Sequence, residues 1–242
     1  MREIIFGSVK SAVRNLELVL VLFVSGVVLN YLRLKLSPGG LSQIIFILFF
    51  GCLVIFSFYF WSATLTALCD YKKYGKWNWK DYFLCGLKKL QAVVIWVLLF
   101  ILQLMFVAYM VAALDSGIYK IAGFIVLSII SYLTSLILIA VVGRVKLKDA
   151  WTRTKIILSR EIFKLAGSGA YILFVAVLTS IVISILWNNA IRLDNIIISQ
   201  VLVLAAEFMR SFAAVVIMAT IIGVVFSSPK IKKVDIDDKV VL

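Results

Sequence analysis

The chain has 242 residues, 64% of them hydrophobic and 15% charged, with a mean hydropathy of +1.11 and a net charge of +13. A water-soluble fold of this length cannot hide so much apolar side chain, whereas lipid solvates it on the outside of a helical bundle. Long unbroken apolar blocks exclude a transmembrane β-barrel, and the absence of His removes His-ligated metal and haem sites, His general bases and His proton relays.

The expected class is an all-α polytopic membrane protein with six spans. Each of six blocks is long enough for a hydrocarbon core of about 30 Å at about 1.5 Å per residue. The first, Leu16 to Leu32, follows Lys10 and Arg14. With no small-residue cleavage site before Arg33, it reads as a retained signal anchor. Glu17 opens it, where a carboxylate complements a helix N-terminus. The second block runs from Leu41 to Ala67.

A connecting segment from Asp70 to Lys89 has helical periodicity of its own. Asn78 is suited to cap a helix, with Asp81 three residues on. Trp79, Tyr82, Phe83, Leu87 and Leu90 then share one face, opposite Lys80, Lys88 and Lys89. Blocks three and four are Ala92 to Leu114 and Ile121 to Gly143. The next segment, Arg144 to Lys164, repeats the pattern: Leu147, Ala150, Trp151, Thr154 and Leu158 oppose Lys146, Lys148, Arg153 and Lys155. Such helices suit the cytoplasmic headgroup level, and two roles are open to them, lying on lipid or docking a cytoplasmic partner. The candidate contact residues are Trp79, Lys80, Asp81, Tyr82 and Phe83 in the first segment, with Lys148, Asp149 and Trp151 in the second.

Block five is Leu165 to Trp187, and block six is Ile196 to Phe226. Glu207 and Arg210 lie in the sixth at spacing i, i+3, a candidate intramembrane charge pair. The block has 31 residues, longer than a bilayer core requires. The pair therefore either sits toward the outer interface or lines a buried pathway. Asn30, Gln43, Gln103, Thr134, Ser135, Thr179, Ser180 and Gln200 can bond across helices, and Ala166-x-x-x-Ala170 and Ala219-x-x-x-Gly223 offer small faces for close approach.

An internal repeat organises these elements. Gly75-Lys76-Trp77-Asn78-Trp79-Lys80-Asp81-Tyr82 and Gly143-Arg144-Val145-Lys146-Leu147-Lys148-Asp149-Ala150 share G-[KR]-x-x-[WL]-K-D-x at an offset of 68, and Arg2-Glu3-Ile4-Ile5 is a weaker third copy. The expected architecture is one six-helix domain over 1–228, built of units at about 1–70, 71–142 and 143–228, followed by a charged tail, 229–242. Each unit is a basic amphipathic segment and a helix pair.

Of the 25 basic residues, 20 fall in the N-terminal segment, the two connecting segments and the tail, and four in the alternate loops. Positive charge stays on the side from which insertion starts, so both termini are expected in the cytoplasm, with anionic lipid headgroups as counter-charge. Charge divided among four segments gives no support to nucleic-acid binding. Cys52, Cys69 and Cys85 form no C-x-x-C pair and are placed as small fillers, with palmitoylation of Cys69 or Cys85 as the alternative. No catalytic signature is present and no cofactor is expected.

The run Leu147-Lys148-Asp149-Ala150-Trp151-Thr152-Arg153-Thr154-Lys155 before a long apolar helix resembles the repeated basic segment, Trp and span pair of six-span prokaryotic membrane families. The glycerophosphodiester phosphodiesterase membrane-domain group is among them. The resemblance implies a six-span fold and carries no catalytic residue, because the phosphodiesterase chemistry of that group lies in a separate soluble domain. Two functions follow as expectations. One is a non-enzymatic multipass protein of a prokaryotic inner membrane, acting as a scaffold, assembly or envelope factor through its cytoplasmic segments. The other is the permease subunit of an exporter resembling the ABC-2 type, with its ATPase supplied by another chain.

Overall fold

The computed structural model describes residues 2–35, 43–88, 162–192 and 195–227, together with single positions between 123 and 134, and among the described residues six helices have defined bounds. They are α1 (Arg2–Arg14), α2 (Leu16–Lys35), α3 (Gln43–Tyr74), α4 (Trp79–Lys88), α5 (Ile162–Arg192) and α6 (Ile196–Ser227). No strand occurs among the described residues. Among the described residues, three stretches are long and apolar enough to cross a membrane: Gly51–Tyr74 of α3, all of α5, and Ile196–Phe226 of α6. The residues of α1 and α2 make a fourth only if taken as one bent span. Blocks one, five and six of the sequence, and block two from Gln43 onward, are thus helical, whereas blocks three and four fall largely outside the described residues.

Each helix end has a local cause. Between α1 and α2 the chain turns by 71° at Asn15. Asn15 spans that break, its backbone N–H and its Nδ2 both donating to Ser11 O, at 3.0 and 2.7 Å. At the far end of α3 the helix runs seven residues past Ala67 and stops at Gly75. There a φ of 71° lets the Gly75 N–H reach Tyr71 O at 2.9 Å. The glycine that opens the repeat motif is therefore a C-cap. Asn78 caps α4 as expected, its Oδ1 accepting from Lys80 N at 3.1 Å. Asn195 does the same for α6, accepting from the N–H groups of Ile197 and Ile198.

The centre of the packing is α6, which touches α1, α2, α3 and α5. Its Val215, Ile222 and Val224 are buried with Leu18 and Val19 of α2, Leu68 of α3 and Ala12 of α1. The small face Ala219-x-x-x-Gly223 is used: a Cβ on Gly223 would meet Ile4 Cγ2 of α1 at 3.3 Å. The other small face, Ala166-x-x-x-Ala170, is exposed, and α5 instead buries Leu165 and Ser168. Phe163, Phe174, Val177, Ile181 and Ile185 of α5 all face outward. An apolar helix packed along one side only needs an apolar medium on the other.

Candidate functional site

Two clusters hold the functional candidates, one between α2 and α6 and one where α4 meets the α1–α2 bend. In the first, Glu207 is 3% exposed, and its Oε1 accepts from Arg210 Nη1 and from Asn30 Nδ2, both at 2.8 Å. Spacing i, i+3 brings Arg210 to the carboxylate within α6. Asn30 reaches it from α2, where the Phe23 and Phe208 rings pack edge to face at 5.9 Å. The pair is asymmetric, because the Arg210 side chain is 54% exposed. Gly26 makes the approach possible: a Cβ there would stand 3.3 Å from Glu207 Oε2. A carboxylate held by one guanidinium and one amide is a charge-neutral polar joint between two helices.

Of the other polar residues singled out by sequence, Thr134 and Ser180 donate to the backbone carbonyls of Ile130 and Ala176 and Gln200 is exposed. Asn30 alone among the described ones bonds across helices through an identified partner.

In the second cluster the aromatic residues of α4 divide by burial. Trp79 and Phe83 are half-exposed, but Tyr82 is 2% exposed and sits against α3. Its hydroxyl lies 3.1 Å from Thr64 Oγ1 and donates to Phe60 O at 3.4 Å. Tyr59 OH returns a bond to Phe83 O at 2.9 Å. Just before α4, Trp77 Nε1 donates to Asn15 Oδ1 at 3.1 Å, tying this segment to the α1–α2 bend. The Trp77, Trp79, Tyr82 and Phe83 rings pack on one another, with centroid distances from 4.7 to 6.3 Å. Burial pushes the Tyr82 phenol up to about 12, with the Thr64 hydrogen bond acting the other way. A buried phenol and a half-buried indole with satisfied polar tips form a clasp that locks α4 and the bend to α3.

Lys80 and Asp81 remain exposed beside the clasp. Lys148, Asp149 and Trp151, and with them the second copy of the repeat motif, lie outside the described residues. Cys69 is buried, which removes it as an acylation site, and Cys52 is exposed. No group of His, Cys, Asp and Glu suited to a metal occurs among the described residues. Sequence reasoning missed Asn15, Thr64 and Gly26. The Trp77–Asn15 pair joins residues 62 apart and leaves no periodic signal. No protein-family model matches this chain, nor does any curated protein or solved structure.

Proposed function

We propose that this chain is a six-span protein of a prokaryotic inner membrane, with both termini in the cytoplasm. It acts without catalysis, as a scaffold, assembly or envelope factor, through its cytoplasmic amphipathic segments. The observation that carries the reading is the clasp. It ties α4 to α3 and, through Trp77 and Asn15, to the α1–α2 bend, while Phe6, Val13, Trp79, Phe83, Arg2, Lys10, Arg14 and Lys80 stay exposed. A fixed surface mixing aromatic and basic groups suits the headgroup layer and any protein held there.

On this reading α1 also serves as a depth gauge. It meets α6 at Gly223, so Gly223 lies near the cytoplasmic headgroups. At about 1.5 Å per residue, a core of about 30 Å ends near Val203. Glu207 then sits about 6 Å inside the outer boundary, and Arg210 is close enough for its long side chain to reach that interface. The pair is a structural joint near the outer surface, in keeping with the length of α6.

The test is affinity purification of the full chain in mild detergent, beside a Lys80→Glu, Phe83→Ser variant that keeps Tyr82 and Trp77. Partners that coat the clasp should be lost from the variant while its thermal stability is kept, and an identical partner set for both chains rejects the reading. The 71° bend that sets α1 across the end of α2 favours one second reading, the exporter permease, since an N-terminal interfacial helix belongs to that class. An ATPase recovered in fixed proportion to the chain would select it.

A further inference from the structure

A recess of 280 Å³ opens between α1, α3 and α6, and it carries opposite charges on different walls. Glu3 lines it from α1 and Lys72 from α3. Among the described residues the two form no ion pair with each other, and neither has another partner. Ser8 and Ser11 line the α1 side, and the Ser8 hydroxyl, which donates to Ile5 O at 2.8 Å, keeps its lone pairs for a donor. Leu68, Ile222 and Phe226 supply apolar wall, and Lys73 Nζ stands 5.5 Å over the Phe226 ring at the same end of the bundle. Gly7 and Gly223 also line it, and at Gly7 the lack of a side chain leaves the space open.

We propose that this recess binds the headgroup of an aminophospholipid, a phosphate diester bearing a primary ammonium. Lys72 takes the phosphate, Glu3 and the serine hydroxyls take the ammonium, and the apolar wall seats the glycerol and the first acyl carbons. A recess lined by lysine alone would accept any anionic lipid. Glu3 repels a net negative headgroup and rewards an N–H donor, which a quaternary choline lacks. A free amine phosphate offers the same polar groups without the glyceride that the apolar wall would cover.

The full chain in mild detergent is titrated with short-chain phosphatidylethanolamine, phosphatidylcholine and phosphatidylglycerol, and with O-phosphoethanolamine, reading binding from the rise in Tm. The ethanolamine lipid should bind about tenfold tighter than the choline or glycerol lipid, the size of one charge-assisted contact. Glu3→Gln should erase its advantage over choline, and Lys72→Gln should weaken it about tenfold. Gly7→Leu serves as the variant that still folds. A Cβ at Gly7 meets nothing within 4 Å, and Leu favours helix more than Gly does, so the substitution fills the recess without strain. Equal binding of all three lipids, tighter binding of the glycerol lipid, or unchanged binding in Gly7→Leu overturns the proposal. Binding of O-phosphoethanolamine as tight as the lipid overturns the lipid as its source. The inference rests on the membrane reading: release of the chain from membranes by alkaline carbonate sinks both, whereas an integral chain that does not discriminate headgroups sinks this one alone.

Discussion

Glu207 and Arg210 differ in burial, and that difference sets the order of their mutational effects. Spacing alone leaves open whether the pair is buried or sits at the interface. In the structure Glu207 is the buried member and Arg210 is half-exposed. Arg210→Gln leaves a buried carboxylate with Asn30 as its one side-chain donor and should cost about 2 kcal/mol or more. Glu207→Gln keeps an amide oxygen for Asn30 and lets the guanidinium turn to water, so it should stay within about 1 kcal/mol of the parent. The double change should resemble Glu207→Gln alone. Thermal unfolding in detergent measures all three, and a Glu207→Gln loss larger than that of Arg210→Gln would show that the guanidinium is the dependent partner. The spacing of the pair was legible in the sequence. Its asymmetry was not, because it depends on Gly26 and Asn30, more than 170 positions away in the chain.

At the scale of single elements, α4 shows where periodicity stops informing. The cap at Asn78, the helix beginning at Trp79 and the aromatic face all follow from local spacing. Which aromatic turns inward depends on Thr64 and Phe60 of α3, which no pattern in residues 78–88 encodes. The consequence is a pH dependence. Tyr82 titrates near 12 when folded and near 10.0 when free, so the folded state holds its proton more tightly. Its contribution is complete below pH 10 and is lost between about pH 10 and 12, a fall on the order of 2 to 3 kcal/mol. Protease access to α4 should therefore rise across that window. In Tyr82→Phe, which has no phenol to ionise, the rise should be much smaller while access at neutral pH is moderately higher. An alkaline response equal in both chains would place the sensitivity in another group.

For the whole molecule, the exposed apolar surface points to a lipid surround, and the basic asymmetry bears on a separate question, sidedness. The outward Phe, Val and Ile side chains of α5 have no cover among the described residues, and a surface of this kind is stable where lipid replaces water. Composition made that much legible, because the hydrophobic excess is a property of the whole chain. The bend at Asn15 and the central place of α6 were not legible, since both arise from contacts between distant helices. The charge split predicts the sidedness of the chain, and gene fusions test it. Reporters joined after Lys89, Lys164 and Leu242 should signal cytoplasm, and those after Pro38, Ser116 and Arg192 the opposite side, because 20 basic residues stand against four. Arg192 ends α5 and α6 begins at Ile196, so the fusion there reads the connection between two contacting helices. Lys164 lies in the first turn of α5, and the fusion there decides the number of crossings before that helix. A cytoplasmic signal at Lys164 with an outside signal at Arg192 requires an even number of crossings ahead of α5. An outside signal at Lys164 would leave an odd number and end the six-span reading.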